Sequence, residues 1–186
     1  MSRTRIAVTA FAVASLTLSG NVAHADTESA QDPRGDASQA ADITKVTVDN
    51  GDRTLSIKVK LAKATVSRTH LIATMTSATE GGPTYIARTV VVAPNSHANP
   101  QASTHAQRTG ATLERLPDGA TEPTTVECAG IKATLSSGRN GQSSIRIPQA
   151  CFGEDAGTLL VDVATVTPAG DEVVDEVPST LRVRQG

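Results

Sequence analysis

From Asp42 onward the chain alternates apolar and polar residues at period two, in short runs divided by Gly, Pro and Asn. Val46 and Val48 share one face of a run over Asp42–Val48. Behind it, Asp49-Asn50-Gly51-Asp52 predicts a hairpin, with Asn-Gly supplying the positive φ angles of a type I′ turn. Thr54–Leu61 then places Leu55, Ile57, Val59 and Leu61 inward and Thr54, Ser56, Lys58 and Lys60 outward, a strand with one wet face. His70–Thr76, with Leu71, Ala73 and Met75 inward, and Tyr85–Val92 predict two more strands across the Gly81-Gly82-Pro83 break. Shorter strands are expected at Ala111–Leu116, Thr124–Cys128, Ile131–Leu135, Ser144–Ile147 and Leu181–Arg184. Thr158–Val166 is the most continuously apolar run and predicts a central strand covered on both faces, turned back at Pro168–Asp171 into Glu172–Val177. The stretch 93–110 holds two prolines and no Val, Ile or Leu, and predicts a long loop. Asp26–Ala41 is small and polar, and is expected to be flexible or lightly anchored. Such spacing of short strands reads as an all-β antiparallel sandwich, Ig-like or jelly-roll-like, forming one domain over residues 42–186.

The first 25 residues break this pattern. A basic start, Met1–Arg5, leads into an uncharged apolar run, Ile6–Leu18, and then to Ala23-His24-Ala25. That is the three-part form of a secretory signal peptide with a small-x-small cleavage site. At 1.5 Å per residue the run reaches about 20 Å, short of the roughly 30 Å hydrocarbon core. Export of a chain beginning at Asp26, with no membrane span in the mature form, is the expectation. Removing 25 residues from 186 leaves 161, and the loss of Arg3 and Arg5 takes the balance from 17 basic against 19 acidic residues to 15 against 19. A net charge of −4 offers no electrostatic case for nucleic acid or an anionic membrane. Only Tyr85 and Phe152 remain as aromatic residues, so stacking on bases or sugar rings is hard to build.

Two cysteines, Cys128 and Cys151, in an exported domain read as one disulfide. A redox pair or zinc site is disfavoured by the absence of C-x-x-C and of histidine near either residue. No nucleophile elbow, H-E-x-x-H helix, P-loop or dinucleotide fingerprint occurs, so no catalytic residue is assigned and the chain is not expected to be an enzyme. His70 is expected on a strand facing solvent, and His97 and His105 in the polar loop lack the third ligand a zinc site needs. Arg34-Gly35-Asp36 spells an adhesion tripeptide, but Pro33 and Gly35 make the same residues a turn, which is the preferred reading. Asp32, Asp36 and Asp42 surround that turn and are the candidate calcium ligands, because calcium takes six to eight hard oxygens from irregular, carboxylate-rich segments. An Asp-capped solvated turn is the plainer reading, and convergence of the carboxylates in space decides between the two. No other cofactor is expected.

Asp32-Pro33-Arg34-Gly35-Asp36, followed by Asp42-Ile43, Val46 and Val48, resembles the opening of a group of secreted actinobacterial proteins of unknown function. Ile147-Pro148-Gln149-Ala150-Cys151-Phe152-Gly153 is similar to that group's V-P-x-x-C-L-G turn, which pairs with an upstream Cys. The opening is also distantly similar to DOMON-like and carbohydrate-binding β-sandwiches, which implies a fold more than an activity. Three functions are weighed. The leading one is a secreted, non-enzymatic β-sandwich with a binding or extracellular structural role and an unknown ligand. The alternative is a calcium-dependent carbohydrate-binding module, for which Tyr85 would have to lie on a sheet face beside the aspartates. The third is a secreted hydrolase or protease inhibitor.

Overall fold

A computed structural model describes residues 26–92, 108–153, 157–169 and 172–186. Met1–Ala25, expected to be a signal peptide, and His97 and His105, expected in a loop, lie outside the described residues. In chain order the strands are β1 (Asp26–Gln31), β2 (Ile43–Asn50), β3 (Thr54–Leu61), β4 (Lys63–Ala64), β5 (His70–Ser77), β6 (Thr84–Val92) and β7 (Arg108–Leu116). They continue as β8 (Thr124–Thr125), β9 (Lys132–Ser136), β10 (Gly138–Arg139), β11 (Gln142–Pro148), β12 (Thr158–Val166), β13 (Val173–Glu176) and β14 (Leu181–Arg184). Gln149–Cys151 makes one turn of 3-10 helix.

Two antiparallel sheets face each other across one core. The first runs β1-β2-β3-β11-β9, and the second runs β13-β12-β5-β6-β7-β8, with β14 following β13's edge of β12. A small ladder, β4 with β10, adjoins them. Period-two alternation explains the packing. Val46, Val48, Leu55, Ile57, Val59, Ile145 and Ile147 point inward from the first sheet, against Leu71, Ala73, Met75, Leu113, Leu159 and Val161 from the second. Burying such side chains contributes roughly 25 cal/mol for each Å² of apolar surface removed from water. Cys128 and Cys151 are bonded, with their Cα atoms 5.3 Å apart. The bridge joins the segment after β8 of the second sheet to the turn after β11 of the first.

Three expectations are corrected. The hairpin between β2 and β3 is not a type I′ Asn-Gly turn: Asn50 ends the ladder opposite Leu55, and neither Asn50 nor Gly51 has positive φ. Asn50 is fully buried, its Oδ1 accepting a bond of 2.6 Å from Gln149 Nε2, and burial in a side-chain network overrides its turn preference. The N-terminal segment is not loose throughout, since Asp26–Gln31 pairs along β2 as an edge strand. β12 is central as expected, but it is covered on both faces only over Val163–Val166; Thr158–Asp162 alternates. No helix among the described residues is long and apolar enough to cross a membrane.

Candidate metal centre

The connection from β1 to β2 carries Asp32, Asp36 and Asp42. Asp32 directly follows β1, and its N–H still reaches the carbonyl of Thr44 at 3.3 Å. The chain then reverses through Gly35, whose φ of +96° is a conformation that L side chains rarely adopt. Gly35 N–H donates to Asp42 Oδ2 at 2.9 Å, closing the turn on itself. Further on, Ala41 and Asp42 N–H groups both donate to the carbonyl of Ser38, at 2.8 Å each. Hydroxyls of the second sheet side fix the same stretch. Thr69 Oγ1 donates to the Ala40 carbonyl and Thr165 Oγ1 to the Ala41 carbonyl, both at 2.8 Å.

A fourth carboxylate arrives from far along the sequence. The register of β12 with β13 shifts between Thr165 and Val166, and such an irregularity re-aims the side chains beside it. Asp175 of β13 accepts a 2.7 Å bond from Ile43 N–H at the start of β2. Oxygens of Asp32, Asp36 and Asp175 all lie within 4.8 Å of one another. Ligands at calcium distances of about 2.3–2.6 Å can be no more than about 5.2 Å apart, so the three carboxylates fit a common ion. The third member is therefore Asp175, and Asp42 stands outside the triad with one oxygen committed to Gly35.

The electrostatics are unbalanced. Asp32 is 8% exposed and Asp42 1%, and Oδ2 of Asp32 and Oδ1 of Asp42 are buried with no hydrogen-bond partner. Unpartnered buried charge is costly. Burial, and then the charges of Asp175, Asp36 and Asp42, push the Asp32 carboxyl up to about 6. Burial also raises Asp175, opposed by the Ile43 N–H and reinforced by Asp36 and Asp42.

The other residues singled out in the sequence fall elsewhere. Arg34 and Gly35 form a turn, with Arg34 Nη2 bonded to Asn140 Oδ1 at 3.0 Å. His70 is not simply solvent-facing: its Nε2 is buried and unpartnered. Tyr85 is 1% exposed, so it is no surface platform. Its hydroxyl donates to the Phe152 carbonyl at 2.9 Å, and its ring meets that of Phe152 edge to face at 4.9 Å between centroids. No protein-family model, curated protein or solved structure matches the chain.

Proposed function

We propose that the chain is an exported, non-enzymatic β-sandwich that acts by binding or as a structural module outside the cell, with a calcium ion held by Asp32, Asp36 and Asp175. One observation carries the calcium site: Asp32, with a buried carboxylate oxygen that has no partner, stands with Asp36 and Asp175 in a cluster of three carboxylates close enough to share one ion. A hard dication would give Asp32 the partner it lacks and reverse the repulsion, and the remaining positions would be filled by backbone carbonyls and water. The disulfide supports an oxidising compartment, as does the signal-like start of the sequence. The likeness to secreted actinobacterial proteins belongs to the same proposal. Burial of Tyr85 weakens a carbohydrate-binding module of the stacking kind.

Thermal melting with calcium, with magnesium and with chelator tests the site, in the wild type and in Asp175→Asn. The Asn side chain keeps an acceptor for Ile43 N–H while removing the charge. Calcium is expected to stabilise the wild type by roughly 2.7 kcal/mol at a hundredfold excess over its dissociation constant. Magnesium should substitute poorly, because it demands strict octahedral geometry and holds its waters. Asp175→Asn should lose most of the gain. Equal melting temperatures in all three conditions would leave the aspartates as a solvated turn.

A further inference from the structure

The outer face of the five-stranded sheet carries an unusual charge distribution. β2, β3, β11 and β9 turn Lys45, Lys58, Lys60, Arg146 and Lys132 to the same side, opposite the buried residues. Four of the five lysines in the chain are therefore on one face of one sheet. Asp49 is the only acidic residue among the outward positions of these strands, so the face bears a net charge of +4 in a chain whose total is −2. None of the five cationic side chains has a hydrogen-bond or ion-pair partner among the described residues. The outer side of the second sheet is built differently: there Arg88 pairs with Glu114 at 3.7 Å.

Registration sharpens the point. Lys45 stands directly opposite Lys60, and Arg146 directly opposite Lys132. Like charges facing each other across strands destabilise a sheet, and here two such pairs lie on one face with no acid between them. Lysine on an exposed edge can serve to block sheet-to-sheet pairing, which accounts for Lys132 on β9. It does not account for Lys58, Lys60 or Arg146, on strands paired at both sides. Residues that lower stability without a structural return mark functional surfaces.

We infer that this face binds an acidic polysaccharide, lying across the strands with its carboxylates against the lysines and its hydroxyls against the polar residues between them. Those residues form a cross-strand row: Thr47 is level with Lys58, Lys58 with Ser144, and Ser144 with Thr134. An open groove of about 510 Å³ runs beside Lys58 and Arg146, floored by Ser56 and Ser144, which are 7% and 8% exposed. Strands about 4.8 Å apart, and outward residues about 7 Å apart along each strand, set a grid of charges for an extended polymer. A nucleic acid is the poorer match, since the two aromatic residues of the described chain are buried and none is offered for base stacking. An anionic membrane is also a poorer match, because the face presents no large apolar side chain to insert. Recognition by charge needs no aromatic platform, so the burial of Tyr85 does not oppose it. The inference is independent of the acidic site.

Binding of polygalacturonate, neutral dextran, oligo-dT and phosphatidylglycerol vesicles is measured with chelator present, which separates this face from any calcium site. Polygalacturonate should bind, weaken steeply as salt rises from about 50 to about 500 mM, and outcompete the other three. Lys132→Glu replaces a like-charge pair with an ion pair opposite Arg146. It should melt at or above the wild-type temperature while binding polygalacturonate about tenfold more weakly. Lys58→Gln should weaken binding without lowering the melting temperature, and Arg182→Glu, on the other sheet, should leave binding unchanged. The inference is overturned by absence of polygalacturonate binding at low salt, by equal or tighter binding of oligo-dT or vesicles, or by undiminished binding in both Lys132→Glu and Lys58→Gln.

Discussion

Asp32 is the residue on which the acidic site turns, and its titration has a definite sign. Its carboxyl rises from 3.8 to about 6 through burial and then through Asp175, Asp36 and Asp42. A folded-state value above the unfolded one means that the metal-free fold binds the proton more tightly. Stability is therefore gained as pH falls through about 6 and is lost above it. With chelator, denaturant midpoints should thus favour about pH 5 over about pH 7.5, less so in Asp32→Asn. Saturating calcium holds the carboxylates ionised and should remove or invert the preference. A chelated wild type and Asp32→Asn with the same pH profile would remove Asp32 from this role. The sequence exposed Asp32 and Asp36 because they flank a Pro/Gly turn. It hid Asp175, which accepts from a backbone N–H 132 positions away, since local spacing holds no record of which strands become neighbours. Asn50 misled for the opposite reason: its turn chemistry is local, but its buried partner Gln149 is not.

Among the elements, strands with one buried face were legible. β3 and β14 have the boundaries expected of them, because period-two burial is written into the residues themselves. β1 was not, since Asp26–Gln31 is polar apart from Ala30 and nearly all exposed, and its place is held by backbone bonds to β2 with only Ala30 packed against the core. The stretch expected as a strand over Thr124–Cys128 is ladder only at Thr124–Thr125, after which Cys128 is committed to the bridge. That bridge closes a span of 23 residues and ties the sheets together beside the Tyr85–Phe152 pair. Replacing Cys128 and Cys151 together by Ser should lower stability by about 2–4 kcal/mol, read from urea midpoints in water-extrapolated form. Thiol titration of the native protein should find no free thiol, and two would contradict the bridge.

At the scale of the whole molecule, composition and arrangement part company. A net charge of −2 argues against anionic partners only if charge is evenly spread, and folding instead gathers four lysines on one face while drawing aspartates to a cluster elsewhere. Strand pairing produces that segregation, and pairing order is the part of the fold that periodicity leaves open. The same order has a temporal consequence. β3 ends at Leu61, whereas its inner partner β11 begins at Gln142, about 80 residues later. At roughly 5–20 residues per second, a ribosome would need several seconds to deliver the missing strand. Meanwhile the newborn hairpin β2–β3 would hold Val46, Val48, Leu55, Ile57 and Val59 open to water and to other chains. A nascent chain of this topology has to be kept unfolded, or shielded by a chaperone, until β11 has been made.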